Sequence, residues 1–88
     1  MQHLHSTVQA GPRNIVQITL DKAARVLVMD SLNYSAYRHG RAFRYYGGWA
    51  KVTPFRVVPP HSGLWHVVID FEGRAGFVRA GVSVAQAA

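Results

Sequence analysis

The run Leu64-Trp65-His66-Val67-Val68-Ile69-Asp70-Phe71 decides how this chain is read. Successive side chains of an extended strand point to opposite faces, so Trp65, Val67, Ile69 and Phe71 share one face and His66, Val68 and Asp70 the other. The first set is wholly apolar and is expected in the core. Turn residues bound the run on both sides, Pro59-Pro60-His61-Ser62-Gly63 before it and Glu72-Gly73-Arg74 after it.

Outward from this strand the pattern repeats. Downstream, Phe77 to Val84 sets Val78, Ala80, Val82 and Val84 on one face, and residues 85–88 are expected to fray. Upstream, Trp49 to Val58 contains Pro54, which lacks the amide a ladder needs; the run is an edge strand or is broken in two. Phe43 to Tyr46 and this run flank Gly47-Gly48, a two-residue connection of the kind that turns a tight hairpin. Ser31 to Gly40 is the one helical candidate, of a turn or two: Ser31 or Asn33 can cap it, Tyr34 and Tyr37 lie three apart, and Gly40 can stop it.

Ala24 to Asp30 is apolar on both alternations, Val26 and Val28 against Leu27 and Met29, which predicts a strand that lies centrally or is covered on both faces. Ile15 to Leu20 alternates Val16, Ile18 and Leu20 with Gln17 and Thr19, and Asp21-Lys22 turns the chain. A first strand over Leu4 to Gln9 ends at Ala10-Gly11-Pro12. About seven short strands at this spacing predict an all-β, mostly antiparallel fold. The expectation is one domain over residues 1–88, a small β-sandwich or partly open barrel with a short helical segment near Ser31 to His39.

The composition agrees with a single self-sufficient core. The 88 residues are 49% apolar and 16% charged, enough core material to exclude a disordered tail. There is no cysteine, which removes a disulfide framework, a thiolate metal site and a cysteine nucleophile. The opening Met-Gln-His-Leu-His lacks a basic region followed by an apolar stretch, and no later segment approaches the roughly 20 apolar residues of a span. A cytoplasmic location without membrane insertion is expected. A net charge of +6 favours acidic partners, whether nucleic acid, nucleotide, anionic membrane surface or protein face, and equally serves plain solubility.

Four stretches together resemble a known family: Arg25-Val26-Leu27-Val28-Met29-Asp30; Asn33-Tyr34 with Tyr37-Arg38-His39-Gly40-Arg41; Phe43-Arg44-Tyr45-Tyr46-Gly47-Gly48; and Ser62-Gly63-Leu64-Trp65-His66-Val67-Val68-Ile69-Asp70. The chain is similar over nearly its whole length to the bacterial domain of unknown function family numbered 1883. The resemblance implies a small β-rich domain, found alone or attached to a TIR domain, with no established activity or catalytic residues. Attachment to a TIR domain implies a sensing or interaction role; this chain carries no TIR segment.

The densest chemistry lies in Tyr34 to Lys51, where Arg38, Arg41, Arg44 and Lys51 interleave with Tyr34, Tyr37, Phe43, Tyr45, Tyr46 and Trp49. Guanidinium groups fork onto phosphate or carboxylate while aromatic faces stack on bases or sugars. In the plainer reading Phe43 and Tyr45 are core residues while Arg44 and Tyr46 are merely solvated. The contact residues expected are Tyr34, Tyr37, Arg38, Arg41, Arg44, Tyr46 and Trp49, with His66 as a pocket residue. No ribonucleoprotein-type octapeptide or helix-turn-helix accompanies them.

Of the five histidines, His3 and His5 would share a strand face, yet two imidazoles without a third ligand make no zinc site, and no metal is expected. His66 and Asp70 share a face but sit four residues apart, about 13 Å at strand rise, too far for a direct dyad. His66 is expected to bond a cross-strand or loop group instead. Asp21 and Glu72 read as turn residues, Asp30 as a strand end or helix cap, and Asp70 as a partner for an arginine on a neighbouring strand. No glycosidase carboxylate pair, nucleophile elbow or phosphate loop is present, so no catalytic residue and no cofactor is expected. These readings favour a non-catalytic binding or sensor module that meets a protein or an anionic ligand. Single-stranded nucleic-acid or nucleotide binding is the alternative, carbohydrate binding through Trp49 or Trp65 stays open, and a small enzyme or metal protein is remote.

Overall fold

A computed structural model describes residues 3–51, 54–70 and 79–86. In chain order it contains β1 (His3–Ala10), β2 (Asn14–Leu20), β3 (Ala24–Asp30), α1 (Ser31–Arg38), β4 (Tyr46–Ala50), β5 (Phe55–Val57), β6 (Gly63–Asp70) and β7 (Ala80–Gln86). The strands form two antiparallel sheets, ordered β1-β6-β3-β4 and β5-β2-β7. They face one another as an open sandwich, so the barrel alternative falls away.

The alternation of β6 explains the packing. Trp65, Val67 and Ile69 point between the sheets with Val26 and Val28 of β3, and meet Val16, Ile18 and Leu20 of β2 and Val57 of β5. Each large apolar side chain buried this way contributes roughly 1.5–3 kcal/mol. The opposite face of the same two strands is buried as well: Leu27, Met29 and Val68 lie beneath Tyr34, Tyr37, Phe43 and Tyr45. Helix α1 and the loop after it thus cover the outer face of β3 and β6, which is why Ala24–Asp30 is apolar on both alternations.

The helix cap is Asp30, one of the two readings that residue carried, whose Oδ1 accepts from the Asn33 amide at 2.9 Å; Ser31 and Asn33, the other cap candidates, lie inside the helix. A carboxylate one residue before the helix reaches the free first-turn amide, which neither Ser31 nor Asn33 is placed to do. Gly40 does end the helix, in the left-handed region at φ +70°.

Gly47 and Gly48 do not turn a hairpin; they lie inside β4, and the stretch before Tyr46 is irregular rather than a strand. At Gly47, φ is +128° and a Cβ would stand 2.4 Å from the Val26 carbonyl oxygen, so glycine is what lets β4 approach β3. Pro54 follows the end of β4, and β5 resumes in the other sheet, so the run is broken in two with both pieces on sheet edges.

Residues Ala85 and Gln86 are laddered against Ile15 and Asn14. Within β7, Val82 packs on the core, whereas Ala80 and Val84 stay exposed because the strand lies on an edge. The readings placed on Phe71, Glu72-Gly73-Arg74, Phe77, Val78 and residues 87–88 fall outside the described residues.

Candidate functional site

The helix-covered face of the four-stranded sheet gathers most of the polar chemistry. β1 and β6 are paired with Thr7 opposite His66 and His5 opposite Val68, so His5 and His66 are diagonal neighbours on one face. Their rings are nearly coplanar, 7° apart, and His5 Nε2 and His66 Nδ1 share a hydrogen bond of 2.8 Å. Tyr34, from the middle of α1, stacks across both, with centroid distances of 4.1 Å to His5 and 4.4 Å to His66.

The other ring nitrogens extend this pair into a chain. His66 Nε2 is 2.9 Å from Ser31 Oγ, at the start of α1, and His5 Nδ1 is 3.2 Å from the Tyr34 hydroxyl. Burial lowers the pKa of His66 below its ordinary 6.5, only partly opposed by the Asp30 carboxylate, so its imidazole is neutral at pH 7. The helix holds the chain in place through its cap: the Asn33 amide, together with the Asn33 side chain, holds the Asp30 carboxyl below the usual 3.8 against the desolvation that opposes them.

A second cluster lies further along the same face. Asp70 stands opposite Arg25 in the β3–β6 register. The Tyr37 hydroxyl donates to Asp70 Oδ2 at 3.3 Å, and Arg25 donates to the Tyr45 hydroxyl at 3.1 Å while lying 5.6 Å from that ring's centroid. Burial, and then the Asp70 charge, raise the Tyr37 pKa above 10, which keeps the phenol protonated as a donor.

A basic rim surrounds these clusters. Arg38, Arg41 and Arg44 are exposed, and among the described residues none of the three is held in an ion pair. Arg38 lies 5.9 Å from the centroid of Tyr34. The loop that carries the other two is tied back to the helix: the Arg41 amide donates to the Ala36 carbonyl at 2.8 Å, and the Arg44 amide to Asn33 Oδ1 at 2.8 Å.

A family model described as Domain of unknown function (DUF1883) matches residues 1–88. The chain belongs to this family. No curated protein and no solved structure matches it.

In this DUF1883 domain the residues expected to make contacts are not all brought together. Tyr34, Tyr37, Arg38, Arg41 and Arg44 cluster on α1 and its loop, and Trp49, opposite Arg25 in the register, lies on the same face of the sheet. Tyr46, opposite Val28, points to the other face, where its ring meets Trp65 edge-on at 6.0 Å. Trp65 itself is 1% exposed. Phe43 and Tyr45 are half-buried against Leu27, Met29 and Val68, while Arg44 is exposed.

His66 bonds a cross-strand group, His5, and a helix residue, Ser31. Sequence reasoning paired His5 with His3 and gave Ser31 only a capping role. The available signal was weak: residues 61 positions apart meet only once the register of β1 against β6 is set. Among the described residues no group of three or more His, Cys, Asp or Glu is placed to hold a metal.

Proposed function

We propose that this DUF1883 domain is a binding module that docks an acidic protein surface on its helix-covered face, with Arg38, Arg41 and Arg44 as the charged contacts and Trp49 as an apolar anchor. The observation that carries the reading is the rim itself: three exposed guanidiniums that, among the described residues, enter no ion pair, two of them on a loop already tied to the helix. A pre-ordered loop loses little entropy on binding, and arginine and tryptophan are the residue types that dominate interface energetics.

The aromatic residues favour a protein over a single-stranded nucleic acid. Tyr34 is stacked on two imidazoles, and Tyr37, Phe43 and Tyr45 pack on Leu27, Met29 and Val68, so these rings are engaged inside the domain rather than offered to bases. As part of the same proposal, the setting is a bacterial cytoplasm, where a cysteine-free chain needs no oxidant to fold.

The test is a titration of the full chain with a fluorescent Glu- and Asp-rich peptide and with single-stranded oligonucleotides, each at two salt concentrations. The peptide should bind, and the triple charge reversal Arg38→Glu, Arg41→Glu, Arg44→Glu should abolish binding with an unchanged circular dichroism spectrum. Trp49→Ala should weaken it. Tighter oligonucleotide binding with a steep salt slope would transfer the site to nucleic acid. A folded triple variant that binds the peptide as well as the parent would overturn the assignment.

A further inference from the structure

We propose that Ser31 is an activated nucleophile that attacks carboxylic esters, with His66 as its general base and His5 and Tyr34 as positioning residues. The arrangement requires a nucleophile within hydrogen-bond reach of a base that is itself oriented by a third group. Ser31 Oγ to His66 Nε2 is 2.9 Å, and His66 Nδ1 to His5 Nε2 is 2.8 Å. Tyr34 stacks on both rings and reaches His5 Nδ1 at 3.2 Å, which holds the imidazoles in one plane.

Protons can be placed along this chain in two directions. With both imidazoles neutral, either His5 Nε2–H donates to His66 Nδ1 and His66 Nε2–H to Ser31, or the whole set is reversed. In the reversed arrangement His66 Nδ1–H donates to His5 Nε2, and His66 Nε2 is left as an acceptor for the Ser31 hydroxyl proton. That is the competent form, and the bond to His5 holds the His66 ring in the plane that aims Nε2 at Ser31.

Access and shielding are divided as the chemistry needs. Ser31 is exposed at the junction of β3 and α1, beside Leu32 at 80% exposure, while His66 is 8% exposed beneath the helix. A substrate can reach the hydroxyl, and the base is kept from bulk water. The first-turn amides of a helix have no intrahelical acceptors. That of Asn33 is taken by Asp30.

The step balances without a further reagent. Ser31 Oγ bonds to the ester carbonyl carbon as its proton passes to His66 Nε2; the tetrahedral adduct then breaks its bond to the leaving alcohol, which takes that proton from His66. Water, activated by the same nitrogen, hydrolyses the acyl-serine to the carboxylic acid and restores Ser31.

The test uses the intact chain with p-nitrophenyl acetate and with a fluorophosphonate, followed by mass-spectrometric mapping of the modified residue. Modification is expected at Ser31, with Ser31→Ala reduced to background. His66→Gln should slow it by about 100-fold or more, the lower bound of a typical general-base contribution. His5→Gln should slow it less and move the midpoint of the rate against pH, a readout that a merely structural role for His5 would leave unchanged. Should His66→Gln fail to fold, Ser31→Ala and His5→Gln carry the comparison, since both residues are exposed. Modification confined to residues other than Ser31, or a folded His66→Gln variant labelled at the parent rate, would overturn the proposal. Docking on the arginine rim uses none of these four residues and stands or falls separately.

Discussion

Trp65→Ala tests the packing that holds the two sheets together. The indole is 1% exposed, lies among Val16, Ile18, Val28 and Val67, and donates from Nε1 to the His61 carbonyl at 3.1 Å. A buried tryptophan removes roughly 150–250 Å² from water, and truncation to alanine in a core that only partly collapses costs about 3–5 kcal/mol. The lost hydrogen bond adds little, because His61 is exposed and water can replace the donor at its carbonyl.

A domain of this size has a total stability of only about 4–13 kcal/mol, so the variant should lose a large share of it. In urea the midpoint should fall by about 1–4 M at the slopes typical of small proteins. Circular dichroism can follow the transition, with Trp49, 40% exposed, left as the fluorescent reporter. As a control, Trp49→Ala, at a residue 40% exposed, should lower the midpoint less than Trp65→Ala does. A Trp65→Ala midpoint within about 0.3 M of the parent, at unchanged slope, would refute the assignment of Trp65 as the bridge between the sheets.

Two further outcomes follow from particular contacts. Gly47→Ala should destabilise more than Gly48→Ala: both sit at positive φ, but only at Gly47 would the added Cβ meet backbone, 2.4 Å from the Val26 carbonyl oxygen, and equal urea midpoints for the two variants would contradict this. For pH, His66 has its pKa lowered by burial, so between that depressed value and about 6.5 the unfolded chain binds more protons than the folded one. Stability is therefore full above about 6.5 and is lost as pH falls toward the folded value. Urea midpoints measured across this window should rise with pH more steeply for the parent than for His66→Gln; parallel curves would show that His66 does not carry the effect.

Strand alternation was legible in the sequence wherever a strand buries one face. Ile15 to Leu20 and, over its described residues, Leu64 to Asp70 announced their inward residues, and the double apolar pattern of Ala24 to Asp30 announced a strand that is central or covered on both sides. Gly47-Gly48 misled because glycine serves a tight turn and a close strand approach equally well, and only the neighbouring backbone of β3 distinguishes them. The ladder partners of Ala85 and Gln86, Ile15 and Asn14, likewise lie near the other end of the chain, where no local pattern records them.

The sequence by itself determined the class of fold and the basic, aromatic character of the segment from Tyr34 to Lys51, because burial patterns and charge are local properties of the chain. Tertiary structure alone decided which of those residues share a face. Tyr46 turns away from the arginines because it stands opposite Val28 in the register, and Trp49 joins them because it stands opposite Arg25. His5 meets His66 across 61 residues, and Ser31 meets His66 across 35, because antiparallel register and the return of α1 over the sheet bring them within hydrogen-bond distance. Such pairings depend on sequence-distant backbone alignment, which no local period records.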